Sequence, residues 1–319
     1  MRKTISAFCA FLCLIIANPA MAQKRIALTF DDVPRMEGAF LRTDDRRAKL
    51  IASLKRAKVK QAAFFVNPGN LNDINDPVEA NRVMDYARAG HVIANHSFSH
   101  GNLSDMTAEA YLADIDKAEL WLKGRKGYRP WFRFPFLNEG RADKVKRDAI
   151  RIGLKERGLR NGYVTAESSD WHIENLTIKA KKEQKLFAPN ALRDLYVSWH
   201  VEAANFYNDL AVKTLGRSPA HILLLHETDI AALYIEDLVA ALRADGWTII
   251  TADKAYADPI STAMPDTPSA QGDLIEALAW EKKLPAPRWY KYNDTELATK
   301  EFTAKVLRMN VMIAPPKKH

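Results

Sequence analysis

The chain has 319 residues, 47% of them hydrophobic, with 47 Lys and Arg against 39 Asp and Glu and a formal charge of +8. That length and apolar content suffice for a full buried core and exclude a chain too polar to fold. The basic residues are scattered over predicted helix faces rather than gathered in a stripe, which argues against nucleic acid as a partner.

Residues 1–22 read as a secretory signal, with Arg2 and Lys3 as the charged start, an apolar stretch over 5–17 and Ala20-Met21-Ala22 as a small-residue cleavage site. Cleavage near Ala22 is expected to leave a secreted or periplasmic protein beginning at Gln23. The apolar run is broken by Ser6 and ends at Asn18-Pro19. It falls short of the roughly 20 residues a spanning helix needs, so no stable membrane insertion is expected. Both cysteines, Cys9 and Cys13, lie in this segment, and the exported chain has no thiol for a disulfide. Without Arg2 and Lys3 the count is 45 basic against 39 acidic residues, a formal +6. Such a charge suits anionic surroundings such as a cell wall.

From Lys24 onward, β-rich apolar runs alternate with helical patterns. Residues 25–30 read as a strand, 42–59 as a helix with Thr43 as N-cap, and 61–66 as a buried strand. Asp76 as cap and Pro77 in the first turn open a helix that Gly90 closes, just before a strand over 91–95. A helix over 107–123 stops at Gly124. A strand over 131–136, a helix over 145–157 ended by Gly158 and a strand over 160–166 follow. Residues 173–216 break the rhythm with a polar, Lys-rich entry and a long amphipathic segment over 189–215, expected as two helices and read as an insertion. Its aromatic residues Tyr196, Trp199, Phe206 and Tyr207 read as core.

A strand over 222–225, a helix over 236–244 capped near Gly246 and a strand over 247–251 resume the alternation. After Ala257 the composition shifts to a linker and a helical appendage, with helices near 274–283 and 295–307. Seven strands alternating with helices predict an α/β fold, a distorted (β/α)7-type barrel with a helical insertion and a helical C-terminal extension. The expected division is a leader over 1–22, a main domain over 23–257 and the extension over 258–319. The chemically interesting residues sit at the carboxyl ends of strands, where barrel enzymes build active sites.

Asp31 and Asp32 close the first strand, which starts their side chains on opposite sides of the chain. One can bind a metal while the other moves a proton. Alone, Asp31-Asp32-Val33-Pro34 also reads as a turn. His96 and His100 are four apart, and a helical turn after Asn95 would put both rings on one face. One carboxylate and two imidazoles form a three-ligand set that leaves a position open for water. The same set serves iron oxygenases, so ligand type does not name the ion, but a neighbouring base such as Asp31 has no role in oxygen activation. His226 ends an apolar strand and is pushed to the rim of the sheet.

Five stretches stand in order: Thr29-Phe30-Asp31-Asp32, His96-Ser97-Phe98-Ser99-His100, Arg133-Phe134-Pro135-Phe136, Asp170-Trp171 and Leu224-Leu225-His226. Through them, over about residues 24–255, the chain resembles the polysaccharide deacetylases, also called the NodB-homology domain or carbohydrate esterase family 4. The resemblance implies Asp32, His96 and His100 as metal ligands, Asp31 as general base and Arg133 as its partner. It also implies His226 as general acid paired with Asp170, and Trp171 and Leu224 as walls of the acetyl pocket. The backbone N–H of Phe136 would help bind the oxyanion; the family usually has tyrosine there, and any hydroxyl contact with substrate is lost. His91, His172, His200, His221 and His319 belong to no motif and read as structural or exposed.

The resemblance thus implies an exported, metal-dependent hydrolase that removes N- or O-linked acetyl groups from a glycan such as peptidoglycan, chitin or xylan. Zn2+ is the default ion, with Co2+, Mn2+ or Ni2+ as alternatives. Two rivals stand beside it: a non-catalytic glycan-binding protein of the same fold, and a hydrolase of C–N bonds in a small molecule.

Overall fold

The computed structural model describes residues 23–268 and 272–307; the leader expected at 1–22, with Cys9 and Cys13, and His319 lie outside them. Seven strands form one parallel sheet: β1 Arg25–Val33, β2 Ala63–Val66, β3 Val92–Asn95, β4 Tyr128–Phe132, β5 Arg160–Asn161, β6 Ala220–His226 and β7 Thr248–Ile249. Their order is β5-β4-β3-β2-β1-β6. β6 runs along one edge of β1 from Arg25 to Asp31. The other edge is shared, β7 pairing with Arg25 and Ile26 and β2 with residues from Thr29 onward.

Helices cover the outside: α1 Thr43–Arg56, α2 Pro77–Arg88, α3 Ala108–Leu122, α4 Lys144–Glu156, α5 Asp170–Lys182, α6 Pro189–Leu215 and α7 Asp229–Ala244. Asp76 caps α2 through Val78 N and Thr107 caps α3 through Ala110 N. An Asp or Thr side chain accepting an N-terminal N–H satisfies a donor the helix itself cannot. Thr43 is not the cap of α1. Arg42 holds that position without a side-chain bond, and Asp44 and Asp45 put negative charge at the helix start instead.

Two strands depart most clearly from their expected spans. β4 ends at Phe132 because Pro135 has no N–H for a ladder, and Arg133 N donates the last bond to Asn95 O. The expected strand over 160–166 is split between two partners. Its start pairs with β4, and Thr165 and Ala166 then donate to Ile222 O of β6. The sheet therefore curls until its β5 side meets β6. Gly162 sits at the crossing, where a Cβ would lie 2.6 Å from the Phe65 ring.

The segment 189–215, expected as two helices, is the single helix α6, since neither Gly nor Pro interrupts it between Asn190 and Leu215. With α5 it fills the β5-to-β6 crossover. Tyr196, Trp199 and Tyr207 are buried, and Phe206 packs partly buried beside them. α7 begins at Asp229, capped by Thr228, earlier than the expected 236.

After β7 come α8 Ala252–Ala255, α9 Leu274–Glu281 and α10 Thr295–Lys305. The extension is packed onto the crossover helices: Tyr292 stacks on Trp199 with ring centroids 4.2 Å apart, and Tyr290 Oη donates to Glu202. Among the described residues no helix is long and apolar enough to cross a membrane.

Candidate active site

The site begins with a break in β1. Asp32 has φ 63°, in the left-handed region that costs a non-glycine residue roughly 1 kcal/mol, and the register with β2 slips between Phe30 and Val33. Strand alternation is interrupted there. Asp31 and Asp32 both line one cleft of about 340 Å3.

Asp31 is buried against Arg133, whose Nη1 donates to Asp31 Oδ1 at 2.6 Å and to Thr29 Oγ1 at 2.8 Å. The rest of the guanidinium is fixed by Nε donating to Gly162 O at 2.7 Å and Nη2 donating to Tyr256 Oη at 2.7 Å. The group lies 3.8 Å over the Phe65 ring. Every arm of the fork is committed, so Arg133 holds Asp31 in one orientation.

His96 and His100 are brought together by a tight loop rather than the helical turn expected. Ser97 and His100 have φ of 65° and 57°. Side chains hold the loop in shape: Asn95 Oδ1 accepts from Ser97 N, Ser97 Oγ from His100 N, and Asp114 Oδ2 from Phe98 N and Ser99 N. His96 Nδ1 lies 2.9 Å from Arg133 O. A carbonyl only accepts, so Nδ1 carries the proton and Nε2 keeps its lone pair. That Nε2 lies 3.4 Å from Asp32 Oδ1, and His100 Nε2 lies 3.0 Å from the same oxygen.

One ligand atom each from Asp32, His96 and His100 lies within 4.8 Å of the others, and Asp32 Oδ1 is buried without a well-directed hydrogen bond. Three lone pairs converging on one point fit a divalent cation.

On the other side of the cleft, Asp170 clamps His226. Its Oδ1 lies 2.6 Å from His226 Nδ1, and its Oδ2 accepts from His226 N at 2.7 Å. Burial works against a charged imidazole, but the Asp170 carboxylate outweighs it and raises His226 above its ordinary value. Reciprocally, His226 overcomes the burial of Asp170 and lowers it. With Nδ1 engaged, Nε2 is left for the cleft.

Trp171, Leu224 and Phe136 all line the cleft. Leu224 is buried, whereas Phe136 is 56% exposed, has φ 58° and sits edge-on to His100. Phe136 was expected on the fourth strand and lies beyond it, in a short 3-10 turn at Pro135–Leu137. Of the histidines outside the motifs, His91, His200 and His221 are buried, and His172 is half-buried against Thr299.

Sequence reasoning missed further cleft residues, among them Arg35, Glu167 and Asn293. Arg35 Nη1 pairs with Asp32 Oδ2 at 2.5 Å, three residues along the chain. Glu167 stands three residues before Asp170, in the loop that follows the bonds of Thr165 and Ala166 to β6. Asn293 arrives from the extension. Proximity in the chain to Asp32 and Asp170 was a usable signal for the first two, and nothing local marks Asn293.

Residues 18–156 match the family model described as polysaccharide deacetylase. Over that stretch the chain is similar to the polysaccharide deacetylases. It is 35% identical over 121 residues to a peptidoglycan-N-acetylglucosamine deacetylase of Bacillus cereus, covering 38% of this chain and 39% of that protein. It is 24% identical over 243 residues to the peptidoglycan-N-acetylglucosamine deacetylase PgdA of Listeria monocytogenes, covering 76% of this chain and 41% of that one. The chain thus spans about two fifths of the length of these curated relatives. A chitin deacetylase structure from the fungal pathogen Colletotrichum lindemuthianum superposes with TM-score 0.51 at 18% identity, over 75% of this chain and 91% of that one. This is a likeness of fold. The family match stops at residue 156, so Asp170, His226 and Asn293 lie beyond it.

Proposed function

We propose that this protein is a polysaccharide deacetylase, an exported, metal-dependent hydrolase that removes acetyl groups from carbohydrate, with the N-acetylated glycan of peptidoglycan as its leading substrate. The observation carrying this reading is the convergence of Asp32, His96 and His100 in one cleft with the Asp31–Arg133 and His226–Asp170 pairs. Peptidoglycan is favoured by the named activity of the relatives and by a basic chain with an expected leader.

A divalent ion at Asp32, His96 and His100, zinc in the first instance, would supply a Lewis acid for the acetyl carbonyl and acidify water beside it. Asp31 takes the proton of the attacking water, and Arg133 keeps that carboxylate aimed at it. The backbone N–H of Phe136 helps hold the developing oxyanion, while Trp171 and Leu224 accept the acetyl methyl. His226, kept protonated by Asp170, gives its proton to the departing nitrogen or oxygen.

Acetate release from peptidoglycan, chitin oligomers and acetylated xylan, measured with and without chelator, tests the reading. Turnover on at least one glycan should vanish with chelator and return with Zn2+. Asp31→Asn should lower kcat by roughly 10²–10⁴-fold while metal binding persists. Wild-type turnover in Asp31→Asn would overturn the base assignment.

A further inference from the structure

The cleft has a polar wall that the proposed mechanism does not use. Glu167 is 9% exposed and lines the cleft, yet its carboxyl makes no hydrogen bond or ion pair to any described residue. A polar group this buried and unpaired is costly unless something entering the cleft completes it. Two residues on, Ser169 also lines the cleft, with φ 49°, and its Oγ lies 3.3 Å from Asn293 Oδ1.

Asn293 is fixed from behind. Its Nδ2 donates to Tyr207 Oη at 3.1 Å, and Tyr207 is a buried residue of α6. The neighbouring Tyr292 is stacked on Trp199 of the same helix. The extension is thereby pinned so that it presents one amide to the cleft, next to the loop carrying Glu167. Burial, with the nearby Glu276 carboxyl adding to it, pushes Glu167 up to about 8. A carboxyl kept neutral offers one O–H donor and one carbonyl acceptor, and an amide offers the same pair of functions. That complement matches a sugar ring, whose hydroxyls both donate and accept and carry no charge.

We propose that Glu167 and Asn293 form a sugar-recognition wall, hydrogen-bonding the hydroxyls of the acetylated residue and so determining which glycan is accepted. The assignment rests on the carbohydrate deacetylase reading and deepens it. The wall is built jointly by the loop before α5 and by the C-terminal extension, so substrate choice depends on a segment outside the matched family region.

The test compares kcat/KM on a short N-acetylglucosamine oligomer with kcat/KM on 4-nitrophenyl acetate, which has an acetyl group and no sugar. In Glu167→Ala and in Asn293→Ala the sugar-to-ester ratio should fall by about tenfold for each hydrogen bond lost, chiefly through KM on the oligomer. Glu167→Gln, which keeps one donor and one acceptor, should restore most of the ratio. Parallel loss on both substrates, or a ratio unchanged in both alanine variants, would overturn the wall. A Glu167→Gln variant as impaired as Glu167→Ala would also overturn it, because it would require an ionised carboxylate. If the wild-type chain cleaved the ester but no acetylated sugar, the carbohydrate reading itself would fail.

Discussion

Replacing Arg133 by Met tests how strongly the base is locked in place. Both members of the pair are essentially dry, with side chains 1% and 3% exposed. Met fills a similar volume but removes the links to Asp31, Thr29, Gly162 and Tyr256. Thr29 keeps a partner in Leu223 O, so its share of the loss is small. The dominant penalty is the Asp31 carboxylate left buried without its counter-charge, which for such pairs costs about 3–5 kcal/mol. Chemical denaturation should therefore show Arg133→Met less stable by that amount. Arg133→Met combined with Asp31→Asn should be more stable than Arg133→Met alone, because no orphan charge remains. A loss under about 1 kcal/mol, the behaviour of an exposed ion pair, would refute the reasoning.

Asp170→Asn removes the charge that raises His226. In the proposed mechanism protonated His226 is the active form, so turnover should be lost as pH rises through its folded-state value. With that value lowered in Asp170→Asn, the alkaline limb of the kcat/KM profile should move to lower pH and kcat at neutral pH should fall by roughly ten- to a hundredfold. Glu167, pushed up to about 8, stays protonated in the folded chain while the unfolded chain releases its proton near pH 4.5. Folded-state stability attributable to it is thus lost as pH rises between those values. Glu167→Gln should gain on the wild type by on the order of 3 kcal/mol between pH 5 and pH 9, read by denaturation at each pH. Trp199→Ala deletes a buried ring stacked on Tyr292 and should cost about 3–5 kcal/mol, measured as a shift in the denaturation midpoint.

The parts of the molecule that were legible in the sequence are those fixed by local pattern. The run from Ile26 to Phe30 is mainly apolar because its side chains are buried on both faces of the sheet, and the Asp76-Pro77 start of α2 is a local hydrogen-bonding unit. Histidine spacing correctly placed His96 beside His100, but by the wrong route. Spacing suggested a helical turn, whereas the loop is shaped by Asn95, Ser97 and Asp114, the last 14 residues downstream of His100. The left-handed backbone at Asp32 and Phe136 was illegible because Asp adopts it only occasionally and Phe rarely, and tertiary contacts impose it. The division of the fifth strand between β4 and β6 depends on how far the sheet curls, which no window of sequence encodes. Glu167 escaped notice because an acid in a loop reads as solvated until the walls around it are known.

The divided strand has a mechanical corollary. Asp32, His96 and His100 ride on β1 and the loop after β3, whereas His226 rides on β6 and takes its bearing from Asp170, just past the seam where Ala166 is stitched to Leu223. Loosening of that seam would shift His226 and leave the trio undisturbed. The two sides of the cleft are thus carried on separately anchored struts, and their alignment is a property of the closure between them.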